Sequence, residues 1–346
     1  MITRDASSGA PPLRVPSQKR TAERRISGKA ARHSSATGSG AEEIVLRLAY
    51  RPPYDWLHMR DFLGARAIAG VERVDARGYA RTVPCDGGSA LIRVAALPAA
   101  NVLELRVVGA PREAELQISS TARRVFDLAA DPVRIGRELG SDARVGPLVR
   151  RHPGLRIPGV WDPFECAVRA VLGQQVSVAA GCTLAARVVA RAGIPIAQCA
   201  DGLTHLFPTP AKIAAANLDG LGITGARVAT LHALARAVLE GRVAFDAPSG
   251  ELAVAMTAVP GIGPWTAQYV ALRLGERDAL PAGDLVVRRM AGPSGRALTA
   301  RELEEHAKLW QPWRSYAVMH LWHAARSSAA RRTNVRDRQA PVRKRA

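Results

Sequence analysis

A glycine-containing turn at residues 259–263 and an aspartate downstream of it, Asp284, are the features of this chain that could do chemistry. The turn has the sequence Val-Pro-Gly-Ile-Gly and precedes Pro264, which suits a first helical position because its missing N–H costs nothing there. Gly261 and Gly263 can take positive φ and, lacking a Cβ, allow another backbone to approach closely. The first amides of the following helix are then free to bind a phosphate.

The segment before the turn, residues 250–258, also favours a helix. The pattern therefore predicts helix, hairpin and helix, an arrangement suited to gripping a DNA backbone. A Pro-Gly-x-Gly turn taken alone is often only a turn. If the hairpin does bind DNA, the protein could be an enzyme or a non-catalytic DNA-binding module that uses the hairpin for recognition.

Asp284 directly precedes a helix predicted over residues 285–292, so it is a candidate N-cap. The same carboxylate could act on a sugar, where it would stabilise an oxocarbenium-like transition state and position a water molecule. Capping and catalysis are compatible, since they use different lone pairs of one carboxylate. Asp284 is thus the candidate catalytic residue.

Aromatic residues accompany the hairpin. Trp265 and Tyr269 stand at i and i+4 of the predicted post-hairpin helix, so they share one face. Further aromatic residues cluster near the C-terminal end, at Trp310, Trp313, Tyr316 and Trp322. Such a stripe forms either plain core or a pocket that stacks on the face of an extruded base.

The charge of the chain favours a polyanionic partner. The 346 residues include 49 Lys and Arg against 30 Asp and Glu, a net charge of +19. Residues 1–40 and 327–346 each carry +6 of this excess, lack aromatic residues and are predicted to be disordered. These tails are either solvated extensions or a source of salt-sensitive, non-specific attraction to DNA.

Composition also indicates the cellular setting. The four cysteines, Cys85, Cys166, Cys182 and Cys199, are scattered, as expected of reduced thiols in a cytosolic protein. The chain has no stretch of about 18 consecutive apolar residues, so no membrane span is predicted. The first residues are not followed by an apolar segment, so no signal peptide is predicted. We expect a cytoplasmic protein.

The periodicity of the chain predicts an α+β fold. Residues 1–41 are a basic tail, and residues 42–130 combine short alternating strands with two helices, which indicates a small domain with an antiparallel sheet. Residues 131–326 are predicted to be an all-α bundle, followed by the basic tail 327–346. Asp55, Asp162 and Thr209 are predicted helix N-caps.

These features together resemble the alkylbase-excising branch of the helix-hairpin-helix DNA glycosylases, DNA-3-methyladenine glycosylase II. The resemblance covers about residues 42–326. It rests on four segments: Tyr50–Trp56 with Arg66–Ile68, Phe164–Val178, Val259–Asp284 and Pro312–Ala317.

The resemblance implies roles for individual residues. Asp284 matches the catalytic aspartate of the family. Gly261 and Gly263 match the hairpin amides that hold a phosphate, and Gln175 matches the side chain wedged into the duplex where the base leaves. The base pocket corresponds to Trp265, Tyr269 and Trp322, with His323 where the family often has a tyrosine.

The resemblance implies no required cofactor. It does place a structural monovalent cation on backbone carbonyls of the hairpin, at Thr257, Val259 and Ile262. The implied partner is duplex DNA containing alkylated bases such as 3-methyladenine and 7-methylguanine. The resemblance also implies a monomer that does not bind a membrane and that acts at the nucleoid of a bacterial cytoplasm.

Two absences refine the expected reaction. Glycosylase/lyases of this superfamily hold a nucleophilic lysine at the position of Trp265, and only Lys212 and Lys308 lie between residues 30 and 343. The iron–sulfur branch needs four closely spaced cysteines after this region, and none follows Cys199. The sequence thus predicts a monofunctional glycosylase that starts base excision repair. A glycosylase for deaminated or oxidised bases is the second alternative.

Overall fold

The computed structural model describes residues 43–86, 88–293 and 296–339. Its N-terminal part is one antiparallel sheet with two helices. The strand order is β1-β5-β4-β3-β2. The elements are β1 (Glu43–Ala49), α1 (Trp56–Gly64), β2 (Glu72–Asp75), β3 (Gly78–Cys85), β4 (Gly88–Leu97), β5 (Val102–Val108) and α2 (Glu115–Val125).

Alternation of apolar residues places one face of this sheet against its helices. Leu46 pairs with Leu105 and Leu48 with Leu103 across β1 and β5, and all four side chains are buried. Met59 on α1 is part of the same core. The predicted α+β domain is present, with strands where the sequence placed them.

The remainder of the chain is mostly helical. Its helices are α3 (Pro132–Leu139), α4 (Gly146–Arg151), α5 (Pro163–Leu172), α6 (Val178–Ala192), α7 (Pro210–Ala215), α8 (Gly225–Leu239), α9 (Ser249–Thr257), α10 (Pro264–Arg273), α11 (Leu285–Ala291), α12 (Ala300–His306) and α13 (Arg314–Gln339). Two cores hold them together. Helices α5, α6, α8, α9 and α10 share one core, and α3, α4, α11, α12 and α13 share the other.

Predicted caps fix the starts of these helices. Asp55 accepts a hydrogen bond from the His58 amide, and Thr209 accepts one from the Lys212 amide. Asp162 accepts from the amides of the two residues that follow Pro163.

Two parts of the helical half differ from the prediction. Residues 194–206 contain a hairpin of β6 (Ile194–Ala200) and β7 (Leu203–Leu206) rather than helix or loop. This hairpin lies against the N-terminal sheet, where the Thr82 hydroxyl donates to the His205 carbonyl at 2.6 Å. A contact between distant segments stabilises it, which local periodicity does not reveal.

The C-terminal boundary is also corrected. Helix α13 continues to Gln339 instead of giving way to a disordered tail at residue 327. Residues 327–339 contain no Pro or Gly, so nothing in their sequence terminates the helix. The predicted tail 1–41 and residues 340–346 lie outside the described residues. Among residues 43–86, 88–293 and 296–339, no helix is long and apolar enough to cross a membrane.

Candidate base-excision site

The hairpin between α9 and α10 has the predicted form. Gly261 has φ +87°, and a Cβ on it would lie 2.0 Å from the Thr230 Oγ1 atom of α8. Only glycine fits both the conformation and the space. Gly263 differs from the expectation of positive φ at both glycines, because it adopts φ −95° as the extended N-cap of α10. It is exposed, and no described atom lies within 4 Å of the position of its missing Cβ.

Asp284 is held in place by two hydrogen bonds. It is the N-cap of α11, with Oδ1 accepting from the Val287 amide at 2.9 Å. Its other oxygen, Oδ2, accepts from the Trp265 indole N–H at 3.1 Å. Each carboxylate oxygen keeps a further lone pair for a substrate or water. The indole bond ties α10 to the carboxylate across nineteen residues, and sequence spacing gave no signal for it.

Three aromatic rings form a wall beside this carboxylate. Trp265 and Tyr269 are stacked with ring centroids 5.5 Å apart and an interplanar angle of 14°. Trp322 on α13 meets Tyr269 at 6.0 Å and 55°. The structure therefore brings together the three residues proposed for the base pocket. The other C-terminal aromatic residues, Trp310, Trp313 and Tyr316, are buried in the core instead.

The carboxylate and the aromatic wall line one cavity of about 480 Å³ between α5, α6, α10 and α13. This volume falls within the range of small-molecule sites. Val176, Val178 and Val286 line the cavity and are partly exposed. An apolar edge of this kind suits contact with an unstacked base rather than with bulk water.

Arginines surround the hydroxyl of Tyr269. Arg273 donates to it at 2.9 Å and is anchored on the carbonyls of Pro158 and Gly159. Burial raises the pKa of Tyr269, but the positive charges of Arg273 and Arg66 outweigh burial and lower the pKa from its ordinary value of 10.0. The pocket tyrosine thus faces a positive field, a property that the sequence analysis missed.

Gln175 occupies the loop between α5 and α6. It is exposed and has φ +55°, a conformation that non-glycine residues rarely adopt. The preceding residue, Gln174, fastens this loop to the hairpin. Its amide nitrogen donates to the Gly261 carbonyl at 3.0 Å and to the Thr266 hydroxyl at 3.1 Å. The Arg227 guanidinium donates to the Gln174 carbonyl.

Lys212 and Lys308 do not line the cavity, and Lys308 pairs with Glu305 at 2.6 Å. Across the described parts of the chain, no group of three or more His, Cys, Asp or Glu residues could hold a metal ion. The four cysteines are free thiols.

Behind Trp322, four histidines join α13 to the N-terminal domain. The Nδ1 atoms of His58 and His323 lie 2.8 Å apart, and the His152 and His323 rings have centroids 4.2 Å apart. Burial, together with the charges of neighbouring histidines, lowers the pKa of His58 and of His320 to about 3. Burial also lowers the pKa of His323.

This cluster predicts acid lability. Because the folded pKa of His320 lies below the unfolded value of about 6.5, the unfolded chain binds the proton first and stability falls as pH drops below about 6.5. Replacing His320 with Gln should reduce the slope of unfolding free energy against pH by about 1.4 kcal/mol per pH unit between pH 6 and 4.5. Urea unfolding across that range measures it. Parallel curves for the two proteins would contradict the prediction.

Comparison with known proteins places this site in a class. Two family descriptions match the chain: the AlkA N-terminal domain over residues 45–162, and the HhH-GPD superfamily base excision DNA repair protein over residues 168–315. The fold is similar to that of a 3-methyladenine DNA-glycosylase from Archaeoglobus fulgidus, with a TM-score of 0.71 at 21% identity over 81% of this chain and 98% of that one. It also resembles an 8-oxoguanine glycosylase/lyase of Clostridium acetobutylicum solved with double-stranded DNA, with a TM-score of 0.65 at 15% identity over 86% and 98% of the chains. Fold and family matches together place residues 45–162 with the AlkA N-terminal domain and residues 168–315 with the HhH-GPD superfamily.

Sequence relatives narrow the class to a family. The chain is 36% identical to DNA-3-methyladenine glycosylase 2 of Escherichia coli over 284 residues, which cover 80% of this chain and 96% of that protein. It belongs to that family. It is also 38% identical, over 85% of its length, to a probable bifunctional transcriptional activator/DNA repair enzyme AlkA of Mycobacterium tuberculosis. The chain spans 59% of the length of that mycobacterial relative.

Proposed function

We propose that the protein is a monofunctional DNA glycosylase that extrudes alkylated bases from duplex DNA and hydrolyses their N-glycosidic bond. The observation that carries the proposal is a carboxylate, Asp284, fixed by an indole N–H within an aromatic-lined cavity. Similarity to a DNA-3-methyladenine glycosylase supports 3-methyladenine as a substrate. We include 7-methylguanine because it is also a cationic alkylated base.

The hairpin and the wedge loop would open the duplex. Exposed Gly263 and the first amides of α10 form a surface on which a DNA phosphate can rest. Gln175, next to this surface, would fill the space that the base leaves. Since Gln174 bonds to the Gly261 carbonyl, phosphate grip and wedge are parts of one rigid unit.

The extruded base would stack on the wall of Trp265, Tyr269 and Trp322. Electron-rich faces attract a cationic alkylated base, an interaction of about 0.5–2 kcal/mol. Asp284 would then face the sugar, where its charge stabilises the oxocarbenium-like transition state and orients the attacking water. The carboxylate needs no covalent bond to the sugar in this scheme.

A non-catalytic DNA-binding module remains the alternative from another class. The partly buried hydrogen bond from Trp265 to Asp284 and the cavity beside it favour an enzyme, because a scaffold requires neither. Excision of deaminated or oxidised bases would use the same carboxylate, so the identity of the released bases decides between these lesions.

A monovalent cation at the hairpin is part of the proposal as a structural element only. Thr257 ends α9, so its carbonyl lacks a following helical turn and is free to bind a cation. The Val259 carbonyl also accepts the Ile262 amide at 3.0 Å, which leaves one lone pair for an ion. The residues fit a cation that would stiffen the turn. A monomeric state and a cytoplasmic location stay predictions.

The absence of a lysine in the cavity predicts the product. With Trp265 at the lyase position, no described lysine lines the cavity to form a Schiff base with the sugar, so abasic sites should remain intact. Incubation with a 7-methylguanine duplex and borohydride should release the base without a covalent protein–DNA adduct. A strong adduct, with strand cleavage before alkali, would overturn the monofunctional assignment.

A further inference from the structure

The charged groups that line the cavity are unequal in number. Three arginines, Arg66, Arg169 and Arg326, face one carboxylate, Asp284. Arg169 is compensated, because its Nη1 atom lies 2.8 Å from carboxylate oxygens of both Glu72 and Glu165. The other two arginines therefore decide the net charge of the cavity wall.

Neither Arg66 nor Arg326 has a carboxylate partner within 4 Å in the described part of the chain. Arg66 donates to the Phe62 carbonyl at 3.3 Å, and its guanidinium lies 3.7 Å from the centroid of the Phe62 ring. A carbonyl and a ring satisfy hydrogen bonds and packing but do not neutralise a full charge. The wall therefore keeps a positive excess.

Arg326 is the more informative of the pair. It follows Trp322 by four residues on α13, so both side chains share the helix face that borders the cavity. Its Nη1 atom is buried and has no hydrogen-bond partner among the described residues. On its other side lie His58 and His323, whose pKa values burial lowers and the charge of Arg326 lowers further. Because Arg326 lines the cavity, a base held there would meet a guanidinium charge that no described carboxylate neutralises.

We propose that Arg326 is a specificity-determining residue that favours release of neutral lesions by stabilising negative charge on the departing base. The inference rests on the proposed glycosylase activity. When the C1′–N bond of a neutral base breaks, the electron pair stays on the base nitrogen and the base becomes an anion. That anion takes a proton from solvent, while water adds to C1′ and loses its own proton. A nearby guanidinium stabilises the anion as it forms.

A cationic base gives the opposite balance. The same bond cleavage leaves 7-methylguanine neutral. Arg326 therefore repels the cationic base on entry by about as much as it favours the loss of charge on departure, and measured from free enzyme and free DNA the two effects cancel. The departure of 7-methylguanine depends on Asp284 at the sugar and on the positive charge that the base already carries. The charge of Arg326 should therefore separate neutral from cationic lesions, rather than set overall activity.

The test compares two bases in three proteins. The second-order rate constant of single-turnover release, at enzyme concentrations below saturation, is measured for hypoxanthine, a neutral base, and for 7-methylguanine, a cationic one. The three proteins are wild type, Arg326→Met and Arg326→Lys. The Met variant should release hypoxanthine on the order of tenfold more slowly while its 7-methylguanine rate stays within about twofold. The Lys variant keeps the charge and should keep the wild-type ratio.

Each other outcome is decisive. Equal losses for both bases in Arg326→Met, or no loss for either, would overturn the role of Arg326. Should the Met variant lose its cooperative thermal transition, Arg326→Gln provides the same uncharged comparison in a polar side chain. Wild-type release of 7-methylguanine without any hypoxanthine would also overturn the inference. Release of neither base by wild type would refute the proposed function instead.

Discussion

Replacing Asp284 with Asn should lower the single-turnover rate of base release at least about 100-fold and leave duplex affinity within about threefold of wild type. Asn removes the charge with little change in volume. It can still cap α11 by accepting from the Val287 amide, so the fold should survive. The large expected effect follows from the one carboxylate that lines the cavity.

Release rate and binding should be measured in parallel on the same lesion-bearing duplex. Asp246→Asn is a matched control, because Asp246 is exposed and does not line the cavity. It removes an equal charge from a site without a catalytic role. Release within threefold of wild type in the Asp284 variant would remove this residue from the mechanism.

The second large effect is expected at the hairpin. Gly261→Ala forces a Cβ to within 2.0 Å of the Thr230 hydroxyl at a φ of +87°. Thr230 cannot turn away freely, since its hydroxyl donates to the Ala226 carbonyl at 3.0 Å. We expect the free energy of unfolding to fall by at least about 2 kcal/mol and DNA binding to be lost.

Gly263→Ala is the matched control within the same turn. Its extended φ and open surroundings accommodate a Cβ, so its unfolding free energy should stay within about 1 kcal/mol of wild type. Its DNA affinity should nevertheless fall, because the added methyl group occupies the phosphate surface. Denaturant unfolding and duplex titration of both variants distinguish backbone strain at Gly261 from a lost phosphate contact at Gly263. Equal stability of the two would contradict the strain at Gly261.

Much of the fold could be predicted because its signals are local. Strand β5 occupies the predicted residues 102–108, and Asp55 and Thr209 cap the helices that they were expected to cap. The hairpin was also predictable, since a glycine that must take positive φ leaves a mark in the sequence. The β6–β7 hairpin was missed because contacts with the N-terminal sheet stabilise it.

The candidate site was predicted only in part. Asp284, Trp265, Tyr269 and Trp322 were proposed from position and resemblance, and the structure places them around one cavity. The indole bond from Trp265 and the bracing of the wedge loop by Gln174 depend on side-chain directions that spacing does not determine. The excess positive charge near Arg326 was likewise hidden, because charge balance in a cavity requires knowing which ion pairs form.

Mass spectrometry of the bases released from methylated duplex DNA tests the central claim most directly. The wild-type protein should release free 3-methyladenine and 7-methylguanine and leave one intact abasic site for each base. The Asp284→Asn protein, bound to the same DNA, should release neither above the spontaneous rate. Tight binding without release of any base by the wild-type protein would contradict the enzyme and favour the non-catalytic DNA-binding module.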